Sequence, residues 1–155
     1  MYASAMTVLE RRDGEGGSYL DLAQCIVDHG ARDSIVTDLE QLFRRVLFNV
    51  LVGNRDDHMR NHGFVREASG WRLAPAFDVN PSLSKLEHSL TLDGKFTQPS
   101  TGAVMATAEL YRLTASRARS IFDEVRSALS GWREVAQQHG LGRLEVQRME
   151  RVIQA

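Results

Sequence analysis

The sequence predicts a mainly α-helical single domain that carries one small β-hairpin, and three observations support this. Leu39, Leu42, Phe43, Val46, Leu47, Val50 and Leu51 recur at three- and four-residue steps, the period of a core-facing helix. Ala118, Ile121, Phe122, Val125, Ala128, Leu129, Trp132, Val135 and Ala136 form a second such stripe. Between them, Phe64-Val65-Arg66 and Trp71-Arg72-Leu73 flank Glu67-Ala68-Ser69-Gly70, a span with the length and closing glycine of a hairpin loop.

The elements follow in order. After a short apolar start, residues 11–17 form a polar, glycine-rich stretch. Its glycines match neither spaced phosphate-loop fingerprint, no lysine follows, and Glu15 repels phosphate, so it reads as a plain loop. A helix is expected near 19–29, with Cys25 a buried thiol on its apolar face. Thr37 and Glu40 have the spacing of a capping box, placing the start of the next helix there or slightly earlier. Glu40, Gln41, Arg44 and Arg45 lie between its apolar positions, and Gly53 ends it. Pro75, Pro81 and Pro99 keep 74–102 mostly irregular. A short helix near 103–110 precedes Thr114, which caps a long helix over 115–139 stopped by Gly140. A last amphipathic helix spans 143–154.

Composition narrows the function classes. With 155 residues, 43% of them hydrophobic and 25% charged, the chain has the size and balance of one globular domain. A net charge of −1 and a pI near 6.5 give no global attraction to nucleic acid or to anionic membrane, so direct nucleic-acid binding is not expected. A single cysteine forms no internal disulfide, and no Cys/His cluster has zinc spacing. The first residues lack the pattern of a signal peptide, and no apolar run reaches the roughly 20 residues of a membrane span. A cytoplasmic address is expected.

The chemistry concentrates in Gly53-Asn54-Arg55-Asp56-Asp57-His58-Met59-Arg60-Asn61, a polar loop with apolar structure on both sides. In the protein-kinase pattern, an aspartate that accepts the substrate hydroxyl proton is followed five positions later by an asparagine that ligates magnesium. Asp56 and Asn61 have this separation; Asp57 does not, because His62 stands five positions beyond it. A second aspartate must reach the same metal from beyond a short hairpin, and Asp78 stands there. Magnesium keeps several waters and takes hard oxygen ligands, so one amide oxygen, one carboxylate and nucleotide phosphates suffice. Asp56 is then the candidate base. Arg60 is placed to offer its guanidinium to the moving phosphoryl group, and His58 to hold the loop by hydrogen bonding. The bland reading is a turn-forming Asn/Asp loop that joins a helix to a hairpin.

Leu42 to Asn61, followed by Trp71-Arg72-Leu73-Ala74-Pro75-Ala76-Phe77-Asp78-Val79-Asn80-Pro81-Ser82, resembles the C-terminal region of HipA-family serine/threonine kinases. There an Asp-x-His-x-Lys-Asn loop is followed, after a hairpin, by Pro-x-Tyr-Asp. The matching positions here are Asp56, His58, Arg60 and Asn61, then Pro75, Phe77 and Asp78, with arginine for lysine and phenylalanine for tyrosine. The resemblance implies a kinase C-lobe-like helical domain over 1–155. It also implies phosphoryl transfer from ATP–Mg2+ to a protein substrate, and a helix-turn-helix antitoxin as partner. The sheet, covering loop and lysine of an N-terminal lobe have no counterpart here; neither Lys85 nor Lys95 lies in a β-rich stretch upstream of the loop. ATP and magnesium are therefore expected only in a kinase completed by an N-lobe polypeptide. The alternatives are a non-catalytic toxin–antitoxin binding module or a truncated kinase remnant. An apolar face left open for the N-lobe would favour self-association.

Overall fold

A computed structural model describes residues 1–12 and 14–154. It is mainly helical with small sheets. Strand β1 (Tyr2–Ser4) and the single-turn helix α1 (Ala5–Val8) lead to β2 (Gly17–Ser18) and helix α2 (Tyr19–His29). Helix α3 (Ile35–Val52) passes through the centre, followed by a 3-10 turn (Met59–Asn61) and the hairpin β3 (Gly63–Glu67) and β4 (Gly70–Leu73). Strand β5 (Leu90–Thr91), helices α4 (Thr101–Ala106), α5 (Ala115–Leu129), α6 (Trp132–Gln138) and α7 (Arg143–Met149) complete the order.

Helix α3 is the axis of the core. Leu39, Leu42, Phe43, Val46 and Leu47 are fully buried between α2 and α5, which contribute Leu22, Ile26, Ala118 and Ile121. Burying one such side chain stabilises by about 1.5–3 kcal/mol, and this stripe fixes the rotation of α3. The helix ends at Gly53 in the left-handed region (φ 76°), where the capping amide reaches back to Asn49 and Val50 carbonyls. A Cβ at Gly53 would also lie 2.9 Å from the Val152 carbonyl oxygen. The chain's end docks here, and the Gln154 amide donates to the Leu51 carbonyl at 2.7 Å.

Several elements depart from the sequence expectations. The hairpin forms with Phe64 opposite Leu73 and Glu67 opposite Gly70, but β1 adds antiparallel to β3, so the sheet has three strands. A second, parallel pair joins β2 to β5; two-residue strands leave too little alternation to read in sequence. Helix α2 begins at Ser18, whose capping box pairs with Asp21. The capping box expected at Thr37 and Glu40 does not form, because α3 starts at Ile35 and both residues lie within it. Glu40 instead pairs with Arg117 and Arg44, tying α3 to α5. The helix expected over 115–139 breaks at Ser130-Gly131 into α5 and α6. Ala118, Ile121, Val125 and Leu129 of the stripe are buried, whereas Val135 is 52% exposed; without packing on the later turns, the glycine's helix penalty of about 1 kcal/mol decides. The last helix stops at Met149, short of 154. Arg45, set among the polar positions by periodicity, is buried.

Candidate functional site

The loop after α3 has two faces, built by adjacent aspartates. Asp57 points inward and is only 3% exposed. Its Oδ2 accepts from Tyr19 Oη at 2.7 Å, Asn49 Nδ2 at 2.6 Å and His62 Nε2 at 2.8 Å. These partners come from α2, α3 and the end of the 3-10 turn, so one carboxylate oxygen joins three elements. On the far side of the imidazole, Arg45 Nη1 stands 3.3 Å from His62 Nδ1, and Arg45 Nη2 donates to the Ala74 carbonyl at 2.7 Å. Arginine only donates, so Nδ1 accepts and Nε2 carries the proton given to Asp57, a tautomer assigned from its partners.

The electrostatics of this network follow from burial and pairing. Desolvation pushes the Asp57 carboxyl up, but the hydrogen bonds from His62 and Tyr19 and the charge of Arg45 bring it below the usual carboxylate range. Burial, then the charge of Asp57, holds the Tyr19 phenol well above its ordinary value, so it stays a donor. Asn49 also accepts from Asn54 Nδ2 at 3.2 Å, fastening the first residues of the loop to the last turn of α3.

Asp56 points the other way. It lines an open cleft of about 330 Å³ with Asn54, Asn61, Asp78, Asn80 and Lys85. All three principal residues of the sequence reading, Asp56, Asn61 and Asp78, therefore line one space. Asn61 is held by the 3-10 turn, in which its amide donates to the His58 carbonyl at 2.8 Å. Asp78 arrives from β4 through Ala74, whose amide donates to the Gly63 carbonyl at 2.8 Å while its carbonyl accepts from Arg45. Asp78 has φ 52°, a left-handed conformation uncommon outside glycine, and accepts from Asn80 Nδ2 at 2.9 Å. Non-glycine residues in such backbone states cluster at functional sites.

Two other residues singled out from sequence stand apart. Arg60 is exposed and does not line this cleft. His58 is partly buried, with its Nδ1 enclosed and lacking a hydrogen-bond partner among the described residues; its main chain, rather than its ring, makes the turn bond to Asn61. Cys25 is buried, and burial followed by the charge of Asp28 pushes its thiol up to about 11, as fits a structural position.

The sequence reading missed the buried set of Tyr19, Arg45, Asn49, Asp57 and His62. Its visible signal was Arg45 and Asn49 one helical turn apart inside an apolar stripe, and a His five residues after Asp57. Lys85 was also missed as a site residue; its Nζ is paired with Asp56 Oδ1 and lies 3.3 Å from Ser89 Oγ.

The donor set of the cleft suits a hard cation. Among the described residues no cluster of three His, Cys, Asp or Glu side chains could hold a metal alone. Asn61 and Asp78 offer an amide oxygen and a carboxylate, the partial set that magnesium completes with water and phosphate oxygens. No helix among the described residues is long and apolar enough to cross a membrane.

Comparisons with known proteins bear on the fold and the family. No curated protein matches the chain. Among solved structures, it is similar to a chain of the Shewanella oneidensis MR-1 toxin–antitoxin complex of HipA, HipB and operator DNA, with a TM-score of 0.70 and 19% identity. The match covers 97% of this chain and 36% of that one, so the likeness is one of fold and spans about a third of the larger protein. The family model described as the HipA-like C-terminal domain matches residues 1–132, and the chain belongs to that family.

Proposed function

We propose that this chain supplies the hydroxyl-orienting and magnesium-holding half of a serine/threonine kinase site, and that it transfers phosphate only when a nucleotide-gripping N-terminal lobe completes it. The carrying observation is that Asp56, Asn61 and Asp78, which come from the helix–hairpin loop and from beyond the hairpin, line one cleft. In this reading Asp56 accepts the proton of the protein hydroxyl as it attacks. Asn61 and Asp78 would hold the magnesium, and its charge, when bound, would offset that of the nucleotide phosphates. The buried Asp57 network keeps the loop in register with α3 so that the hydroxyl and phosphate meet in line. His58 contributes through its main chain to the same turn.

The reading treats residues 1–155 as one lobe, working in the cytoplasm with the N-lobe supplied by another segment or polypeptide. The matched structure is an assembly of HipA with HipB and operator DNA. A corresponding antitoxin is the partner we propose here, and near-neutral net charge does not argue against membership of a DNA-containing complex. The test mixes the chain with a family N-lobe, ATP–Mg2+ and a protein substrate. Transfer is expected to fall by about 10²–10⁴-fold in Asp56→Asn, the usual contribution of a positioned base. Undiminished transfer by that variant removes Asp56 from the role of base.

A further inference from the structure

We propose that Lys85 is a phosphate contact of this cleft, its ammonium meeting the terminal phosphoryl group of a nucleoside triphosphate; this rests on the kinase reading above. The first support is how the lysine is delivered. The Ser82 amide donates to the Gly53 carbonyl at 2.8 Å, and the Arg55 amide to Ser82 Oγ at 3.4 Å. Arg55 Nη1 donates to the Lys85 carbonyl at 2.7 Å, and the Ser89 amide and hydroxyl both donate to the Arg55 carbonyl, at 3.1 and 3.2 Å. The segment 82–89 is thus fastened on both sides of Lys85 to Gly53 and Arg55, just before Asp56. Its position is set by the fold rather than by a free surface side chain.

The second support is the charge of the cleft. Its lining contains two carboxylates, Asp56 and Asp78, and one cation, Lys85. A polyphosphate entering this space meets net negative charge, so it needs a metal at Asn61 and Asp78 and a cation near Asp56. Arg60, given the phosphoryl contact by sequence, does not line the space. The Lys85 ammonium has three N–H donors; Asp56 Oδ1 and Ser89 Oγ take two. The third has no acceptor among the described residues, which leaves it available to a phosphoryl oxygen entering the cleft. A compact ammonium point charge suits one phosphoryl oxygen.

The third support is energetic. The Asp56 and Lys85 side chains are 60% and 45% exposed, and ion pairs so exposed add little to stability. A fastening of five hydrogen bonds for a pair that barely stabilises the fold fits a ligand contact better than a structural one.

The test titrates the chain, mixed with a family N-lobe, with magnesium tripolyphosphate, followed by phosphorus NMR, in wild type, Lys85→Ala, Lys85→Arg and Asp78→Asn. Wild type is expected to bind. Lys85→Ala is expected to bind about tenfold more weakly, as for loss of one charge-assisted hydrogen bond, and Lys85→Arg to recover part of the loss, all with unmoved melting temperatures. Equal binding by wild type and Lys85→Ala overturns the assignment, as does absence of binding by wild type. The kinase reading fails separately: if Lys85→Ala weakens binding while neither Asp78→Asn nor omission of magnesium has any effect, Lys85 contacts phosphate in a site that is not a metal-assisted one. Weakening by Asp78→Asn alone keeps the metal half and removes Lys85.

Discussion

Asp56 and Asp57 are neighbours in sequence with opposite environments. The Asp56 side chain is 60% exposed in an open cleft and its partner Lys85 is half exposed. Asp57 is 3% exposed and its Oδ2 takes three hydrogen bonds from three different elements. Consecutive residues thus differ in what they can do: one carboxylate is open to solvent in the cleft, while the next locks the loop that presents it. The locking residue cannot be the reacting one, because a buried carboxylate with saturated hydrogen bonds has neither access to a substrate nor a lone pair to spare on that oxygen.

The strongest way to break this contrast is Asp57→Ala. It leaves Tyr19 Oη, Asn49 Nδ2 and His62 Nε2 without their common acceptor and Arg45 without its nearby countercharge. Removing one partner of a buried charged network costs about 3–5 kcal/mol, and urea denaturation should show a loss of that size. A loss under ~1 kcal/mol would mean that water replaces the carboxylate and that the loop is not locked. Because Asp57 lies below its usual range, its stabilisation is present above the unfolded carboxylate value near 4 and is lost as pH falls through the folded value.

These two residues also show what the sequence could reveal. Spacing picks Asp56 with Asn61, since a loop geometry that repeats across a reaction class leaves a linear signature. Asp57 has no such signature, because Tyr19 and Asn49 reach it across 38 and 8 positions through the packing of α2 on α3. Periodicity located α3 and the buried half of α5 for the same reason: helix faces are local. The strand β1 and the pair of β2 with β5 depend on partners more than 50 residues away, and strands of two or three residues hold too little pattern to read. Lys85 escaped because its role depends on segment 82–89 folding back onto Gly53 and Arg55, through bonds between residues about 30 positions apart that leave no local pattern.

His88 sharpens the contrast with a pH test. Its ring is 3% exposed, beside Arg55 and Asp57, and its neutral form is favoured: burial, then the charge of Arg55, lowers it to about 4. The unfolded chain takes up this proton near pH 6.5, while the folded chain does not until near 4. The unfolded state therefore binds more protons across that window, and stability falls as pH drops through it, by up to ~3 kcal/mol. Urea midpoints at pH 7 and pH 4.5 should differ accordingly in wild type, and much less in His88→Gln. An equal acid dependence in both proteins would place the sensitivity elsewhere.

The smallest expected effect completes the comparison. Asp56→Asn removes the exposed pair with Lys85 and leaves every hydrogen bond of the Asp57 network in place. Exposed ion pairs stabilise by about 0–1 kcal/mol, since both long side chains lose rotamer freedom and water screens the attraction. The melting temperature should stay within the shift that such a change produces in a chain of this size, about 2–4 °C, while transfer by the completed kinase collapses. A large drop in melting temperature would show that residues 56 and 57 lock the loop together, and the division of labour between the two aspartates would then be wrong.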